Sequence, residues 1–178
     1  MCSQNNTLLS NIHPDLLAAQ ALVYEPSGLT CTLIDQEIES KEYGACNLKI
    51  NNSSVKFRVG KITPTKIGQF VTLWKRIGNG PIQPYDIADP VDLFVVSVRN
   101  TDHFGQFVFP KIVLYQKGVI SKDCIGGKRA MRVYPPWDKV DNQQAEKTQH
   151  WQLFYFFEIH PGEVDTARIQ KLYPIKSL

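Results

Sequence analysis

The run Lys61-Ile62-Thr63-Pro64-Thr65-Lys66-Ile67-Gly68-Gln69 holds the residue types that a phosphate group asks for: two ammonium groups, hydroxyls, and a glycine that lets the backbone approach closely. Thr63 as an N-cap and Pro64 as a first helical residue predict a helix start there, and the unpaired amides of such a start attract anions. Lysine in a first helical turn is mildly unfavourable, so Lys66 either serves an anion or is an ordinary basic surface residue. Gln69, Lys75 and Arg76 continue the segment, Gln69 and Arg76 on the polar side of the expected helix, in a line suited to following a strand of phosphates. Trp74 belongs with Ile67 and Val71 on its buried side.

A second basic block, Lys111, Lys117, Lys122, Lys128, Arg129, Arg132 and Lys139, surrounds Gly126-Gly127. A phosphate loop of the nucleoside-triphosphate type needs glycine where Lys122 stands and a hydroxyl where Arg129 stands, so triphosphate hydrolysis is not indicated. Tyr134 and Trp137 interleave with this block and either stack on bases or pack a turn onto a sheet. Four cysteines and four histidines form no CxxC pair and no metal-ligand spacing, which argues against a zinc enzyme and for reduced, structural thiols.

The charges fall in blocks. Residues 1–40 carry five acids and no base, residues 41–76 eight bases against Glu42 alone, and residues 111–139 seven bases against two acids, although the whole chain is only +3. Two basic blocks separated by an acidic one predict a two-sided surface. At 178 residues and 43% hydrophobic content the chain suits one domain over 1–178 with a full core. No apolar run approaches the ~20 residues a bilayer needs, and the start MCSQNNTLLS lacks a secretory pattern, so a cytoplasmic protein without membrane contact is expected.

The elements that must position these residues read as an ordered alternation. Asn11 and Pro14 open a helix over about 11–23. Strands are expected near 30–37, 43–50 and 55–61, the last with Val55, Phe57 and Val59 on one face and Lys56 and Arg58 on the other. A helix near 64–76 and a buried strand near 92–99 follow. Then come a strand over 106–115 that forms a hairpin with 92–99, in which Asp92 and Lys111 could face each other, an aromatic strand at 151–159 and a helix near 163–173. The class is α+β, a mixed central sheet with flanking helices and a C-terminal hairpin and strand extension.

Three blocks, ESKEYGACNLKI (residues 39–50), FRVGKITPTKIGQFVTLWKR (residues 57–76) and FGQFVFPKIVL (residues 104–114), resemble the MepB family of small bacterial proteins. The resemblance spans nearly the whole chain in the same order. It implies no established activity, but a fold similar to restriction-endonuclease-like nucleases of the PD-(D/E)XK type, whose αβββαβ core matches the element order above. Such nucleases hold Mg²⁺ or Mn²⁺ with a carboxylate at the start of the second strand and an acid-x-Lys triplet on the third. Here Glu42 precedes the second strand and Lys61 ends the third, but Val59 stands where the triplet wants an acid. Glu37 or Glu39 could supply a migrated carboxylate, and Glu39-Ser40-Lys41 is itself such a triplet in another place.

The resulting expectation is a nucleic-acid-binding protein with an endonuclease-like core degenerate in its catalytic residues. Sequence-independent phosphate contacts would come from Lys61, Lys66, Gln69, Lys75, Arg76, Lys111, Lys128, Arg129 and Arg132. The alternatives are a Mg²⁺- or Mn²⁺-dependent nuclease built on Glu39, Glu42 and Lys61, with Glu42 on the metal, and a non-enzymatic binder of a protein or acidic ligand. Oligomeric state has no signature in the sequence.

Overall fold

A computed structural model describes residues 12–175. The class is α+β. A six-stranded sheet runs β1 (Cys31–Gln36), β2 (Cys46–Ile50), β3 (Ser53–Val59), β8 (Leu93–Arg99), β9 (Phe104–Pro110) and β11 (Phe156–Glu158), and every neighbour is antiparallel except β3 with β8. Alternation along the strands separates its two faces. Leu48, Ile50, Val55, Phe57, Val95 and Val108 point to one side and are covered by α1 (Pro14–Ala19), its π-helical continuation Gln20–Tyr24, and α4 (Thr166–Leu172). The Tyr24 and Tyr173 hydroxyls donate to the buried Gln106 side-chain oxygen, and the Gln106 amide donates to Ser97, so this buried polar group is internally satisfied.

The opposite face is apolar on β8, β9 and, through Phe156, β11. Phe94, Val96, Val98, Phe107 and Phe109 there receive Val71, Met131 and Val133 from a second sheet, and Leu73 from the residue just past its middle strand. That sheet is β10 (Ala130–Val133), β5 (Lys66–Thr72) and β4 (Lys61–Thr63), and β6 (Trp74–Arg76) pairs with β7 (Ile82–Pro84) beside it. Helices α2 (Lys111–Gln116) and α3 (Gln143–Gln152) complete this layer.

Several sequence expectations are corrected. The helix expected at 64–76 is a pair of strands: Thr63 pairs with Lys66 across a Pro64-Thr65 turn, and the chain returns as β5 and β6. Ile62, Thr63, Thr65, Ile67, Val71 and Thr72 are β-branched, and Gly68 sits at φ +82°, which no helix allows. The hairpin of 92–99 with 106–115 forms as β8 and β9, but its second strand stops at Pro110, beyond which six residues coil into α2. The strand expected at 151–159 is the end of α3, a 3₁₀ turn at Leu153–Tyr155, and only then β11. Strand β3 ends at Val59, so Lys61 opens β4. Asn11 and Cys2 lie outside the described residues. The cap of α1 is His13, whose Nδ1 accepts from the Asp15 amide at 3.1 Å.

Candidate functional site

Where β1, β2 and β3 lack an apolar outer face, their polar residues meet one another. Lys56 and Arg58, two apart on β3, project away from the core, and Glu37 just beyond β1 takes both, at 2.9 and 2.5 Å. Arg58 is 1% exposed and also donates to the Phe57 carbonyl and, at 3.4 Å, to the Tyr85 hydroxyl. Beside this cluster opens a hollow of about 480 Å³ lined by Asp35, Asn47, Lys49, Lys56, Lys75 and Asp89. Most of its polar groups are already engaged: Asn47 donates to both Asp35 oxygens, Lys75 reaches Asp89 at 2.5 Å, and Lys111 beside it donates to the Asp89 carbonyl at 2.6 Å. Lys75 and Lys111, expected on phosphates, are tied here to one aspartate turn. Asp92 lies opposite Lys111 across the β8–β9 pair, its carbonyl receiving the Lys111 amide, while its carboxylate accepts from the Ser54 amide at 2.8 Å.

The residues expected to be catalytic gather at the nearby sheet edge, but as two separate ion pairs. Lys61 reaches Glu42 at 3.3 Å and lies over the Tyr43 ring, and Arg76 reaches Glu39 at 2.8 Å. Glu42 is 68% exposed. A hard divalent cation needs several oxygen donors converging on one point, whereas here each carboxylate faces its own cation. Among the described residues no group of three His, Cys, Asp or Glu could hold a metal ion. These side chains do not fit a Mg²⁺ or Mn²⁺ site.

Free positive charge collects elsewhere. A groove of about 390 Å³ runs between β10 and α3, with Lys66, Lys117, Lys128 and Arg132 along its walls and no acid among its lining residues. None of the four forms an ion pair among the described residues. Arg132 spends its donors on neutral oxygens, the Thr63 hydroxyl at 2.8 Å and the carbonyls of Lys66, Ile67 and Gly68, so it keeps its charge while fixing the β4–β5 turn. The Tyr134 ring presses on Gly68, where a Cβ would come within 2.6 Å of it. Gln152, wholly buried, locks the other wall: its amide donates to the Arg132 carbonyl and its oxygen accepts from the Tyr134 amide. Burial pushes the neighbouring Asp138 carboxyl up, against a backbone hydrogen bond from Gly68 that lowers it.

Of the residues expected to touch phosphate, the groove thus unites Lys66, Lys128 and Arg132 from both basic blocks. Lys61 and Arg76 are at the sheet edge with their acids, and Arg129 does not line the groove. Gln69 is 1% exposed and donates to the Arg99 carbonyl, which corrects its assignment to a polar surface. Trp137 stacks on His103 at 4.9 Å and meets Phe156 edge-on, so it packs a turn onto the sheet. Lys117, a member of the second basic block, also lines the groove, and Trp151 joins it unannounced; α3 is polar nearly all round, and no periodicity marked Trp151 as part of a helix. Arg58 and Glu37 were visible as an off-core β3 residue and a spare carboxylate, without a sign that they meet.

The fold and groove define an α+β protein with a mixed central sheet, a strand-rich second layer and one acid-free basic groove. A MepB-like family model matches residues 37–158, which include the β3–β8 core and the groove's two strand-borne walls. The chain belongs to the MepB-like family. A solved structure titled "Crystal Structure of MepB" is 32% identical, with a TM-score of 0.70 over 82% of this chain and 97% of that one. A search of curated proteins found no match.

Proposed function

We propose that this protein binds nucleic acid through sequence-independent phosphate contacts in the groove between β10 and α3. The observation that carries the reading is the convergence of Lys66, Lys117, Lys128 and Arg132 on one hollow with no carboxylate in its lining. Unpaired cations crowded together cost electrostatic energy that only an anion recovers, and each phosphate they meet releases condensed counterions. Gln152 and Arg132 hold the walls in place beforehand, which lowers the ordering cost of binding.

The order of one helix, three antiparallel strands and a further strand beside the third supports an endonuclease-like reading of the core. Strands β4 to β7 stand where such a core has its second helix. The separate pairing of Glu39 and Glu42 with arginine and lysine supports a degenerate catalytic site over a working one.

The test is a titration of a fluorescein-labelled oligonucleotide, followed by anisotropy, across a series of potassium chloride concentrations. With four groove cations engaged on duplex DNA, log K falls against log salt with a slope of about −3 to −4. The Lys117→Ala, Lys128→Ala double variant makes that slope about two shallower. An affinity indifferent to salt overturns the reading, and calorimetry showing equal affinity for inorganic phosphate and oligonucleotide points instead to a small-anion binder.

A further inference from the structure

We infer that the groove selects unpaired nucleotides, so that the ligand class is single-stranded rather than duplex nucleic acid. The inference rests on the phosphate reading above and adds what the groove's shape and aromatic wall contribute. At about 390 Å³ the hollow is near the lower end of small-molecule sites, room for one compact unit. A duplex keeps its bases stacked inside a stiff rod and can lay only its phosphates across the rim. A single strand can turn one base inward while its neighbouring phosphates stay on the cations.

The wall that would receive the base is Trp151. Its ring is half-buried, held at 5.5 Å centroid distance by Phe109, and lined on the groove side by the Lys117 ammonium, 5.5 Å from its centroid. A lysine over an indole marks where a flat or cationic group is welcome, and a base stacking there frees Lys117 to follow the adjoining phosphate. Lys128 and Lys66 line the same hollow, so phosphates neighbouring the inserted base find counter-charges within it. Tyr134, pressed on Gly68, serves as a wall and not as a second stacking surface.

The experiment compares a short labelled oligothymidine and oligouridine with a duplex of the same length at one low salt concentration. Single strands bind about tenfold tighter, the factor that one stacked base provides, and quench the tryptophan emission. Trp151→Leu removes most of that advantage, lowering single-strand affinity several-fold more than duplex affinity, whereas Trp151→Tyr keeps most of it. Lys117→Ala with Lys128→Ala weakens both ligands. Equal affinity, or a tighter duplex, overturns the single-strand selection while the phosphate reading stands. No binding of either probe at low salt overturns both. If Trp151→Leu weakens duplex and single strand alike, the ring supports the groove without receiving a base, and the selection is again overturned.

Discussion

The guanidinium of Arg58 lies 2.5 Å from the carboxylate of Glu37, at 1% and 18% exposure, and the same carboxylate takes Lys56 at 2.9 Å. Arg58 thereby fastens the loop after β1 to the middle of the sheet. Removing one partner from such a pair strands the other without water. Glu37→Gln is expected to destabilise the fold by about 3 kcal/mol, the low end for a broken buried pair because Glu37 keeps some solvent. Urea unfolding monitors it. Arg58→Met, which deletes the buried charge and fills its space, should cost less than Glu37→Gln; the reverse order would mean that Arg58 matters through its hydrogen bonds to Phe57 and Tyr85.

The pairs Glu42 with Lys61 and Glu39 with Arg76 are of a different kind, being solvent-exposed. Exposed ion pairs contribute roughly 0–1 kcal/mol. Glu42→Ala should leave the urea midpoint nearly unmoved. It should hold or slightly raise the affinity for nucleic acid, since it frees Lys61. Cleavage of a plasmid in Mg²⁺ or Mn²⁺ that vanishes in Glu42→Ala would establish the nuclease alternative and remove the case for a degenerate site.

Gly68 has two reasons to be glycine. Its φ is +82°, and a Cβ there would meet the Tyr134 ring at 2.6 Å and the Val133 carbonyl at 3.0 Å. A left-handed conformation costs an L-residue roughly 1–2 kcal/mol, before any clash. Gly68→Ala is therefore expected to lose about 2 kcal/mol or more in thermal or urea unfolding. Because the turn bearing Lys66 hangs on this contact, oligonucleotide affinity should fall too. Gly68→Ala, Tyr134→Ala relieves the clash and should recover part of the stability, which separates steric conflict from backbone strain.

How far the sequence disclosed the molecule depends on what kind of signal each element leaves. Strands β1 to β3 and β8 follow apolar alternation or apolar runs, and the alternation on β3 already set Lys56 and Arg58 off the core. The 64–76 segment misled because Ile67, Val71 and Trp74 match a helical period, while its strand character is fixed by pairing with β10, about sixty residues away. Helix α2 carried one local sign, Gly118 at φ +70° just past its end, whose amide returns to the Tyr115 carbonyl. The groove was legible as two basic blocks. Which of their members stay unpaired was not, since Lys75, Lys111, Lys61 and Arg76 find their partners through the tertiary fold.

The alkaline limb of stability follows from four buried acids that hold their protons in the folded chain. Burial pushes the Cys31 thiol up to about 11 and the Cys46 thiol up to about 12, and raises the Tyr24 and Tyr173 hydroxyls well above their ordinary value. In the unfolded chain cysteines release their protons near ~8.5 and tyrosines near ~10. Between those values and the folded ones the native state binds more protons than the unfolded state, so stability falls as pH rises. Each group that is fully ionised only when unfolded adds a slope of about 1.4 kcal/mol per pH unit. Urea midpoints should be level near neutrality, begin to drop around pH 8 to 9, and steepen above pH 10. Cys46→Val should flatten the first part of that decline and Tyr24→Phe the later part. A wild-type midpoint that stays constant to pH 10.5 would show that these groups do not retain their protons in the fold.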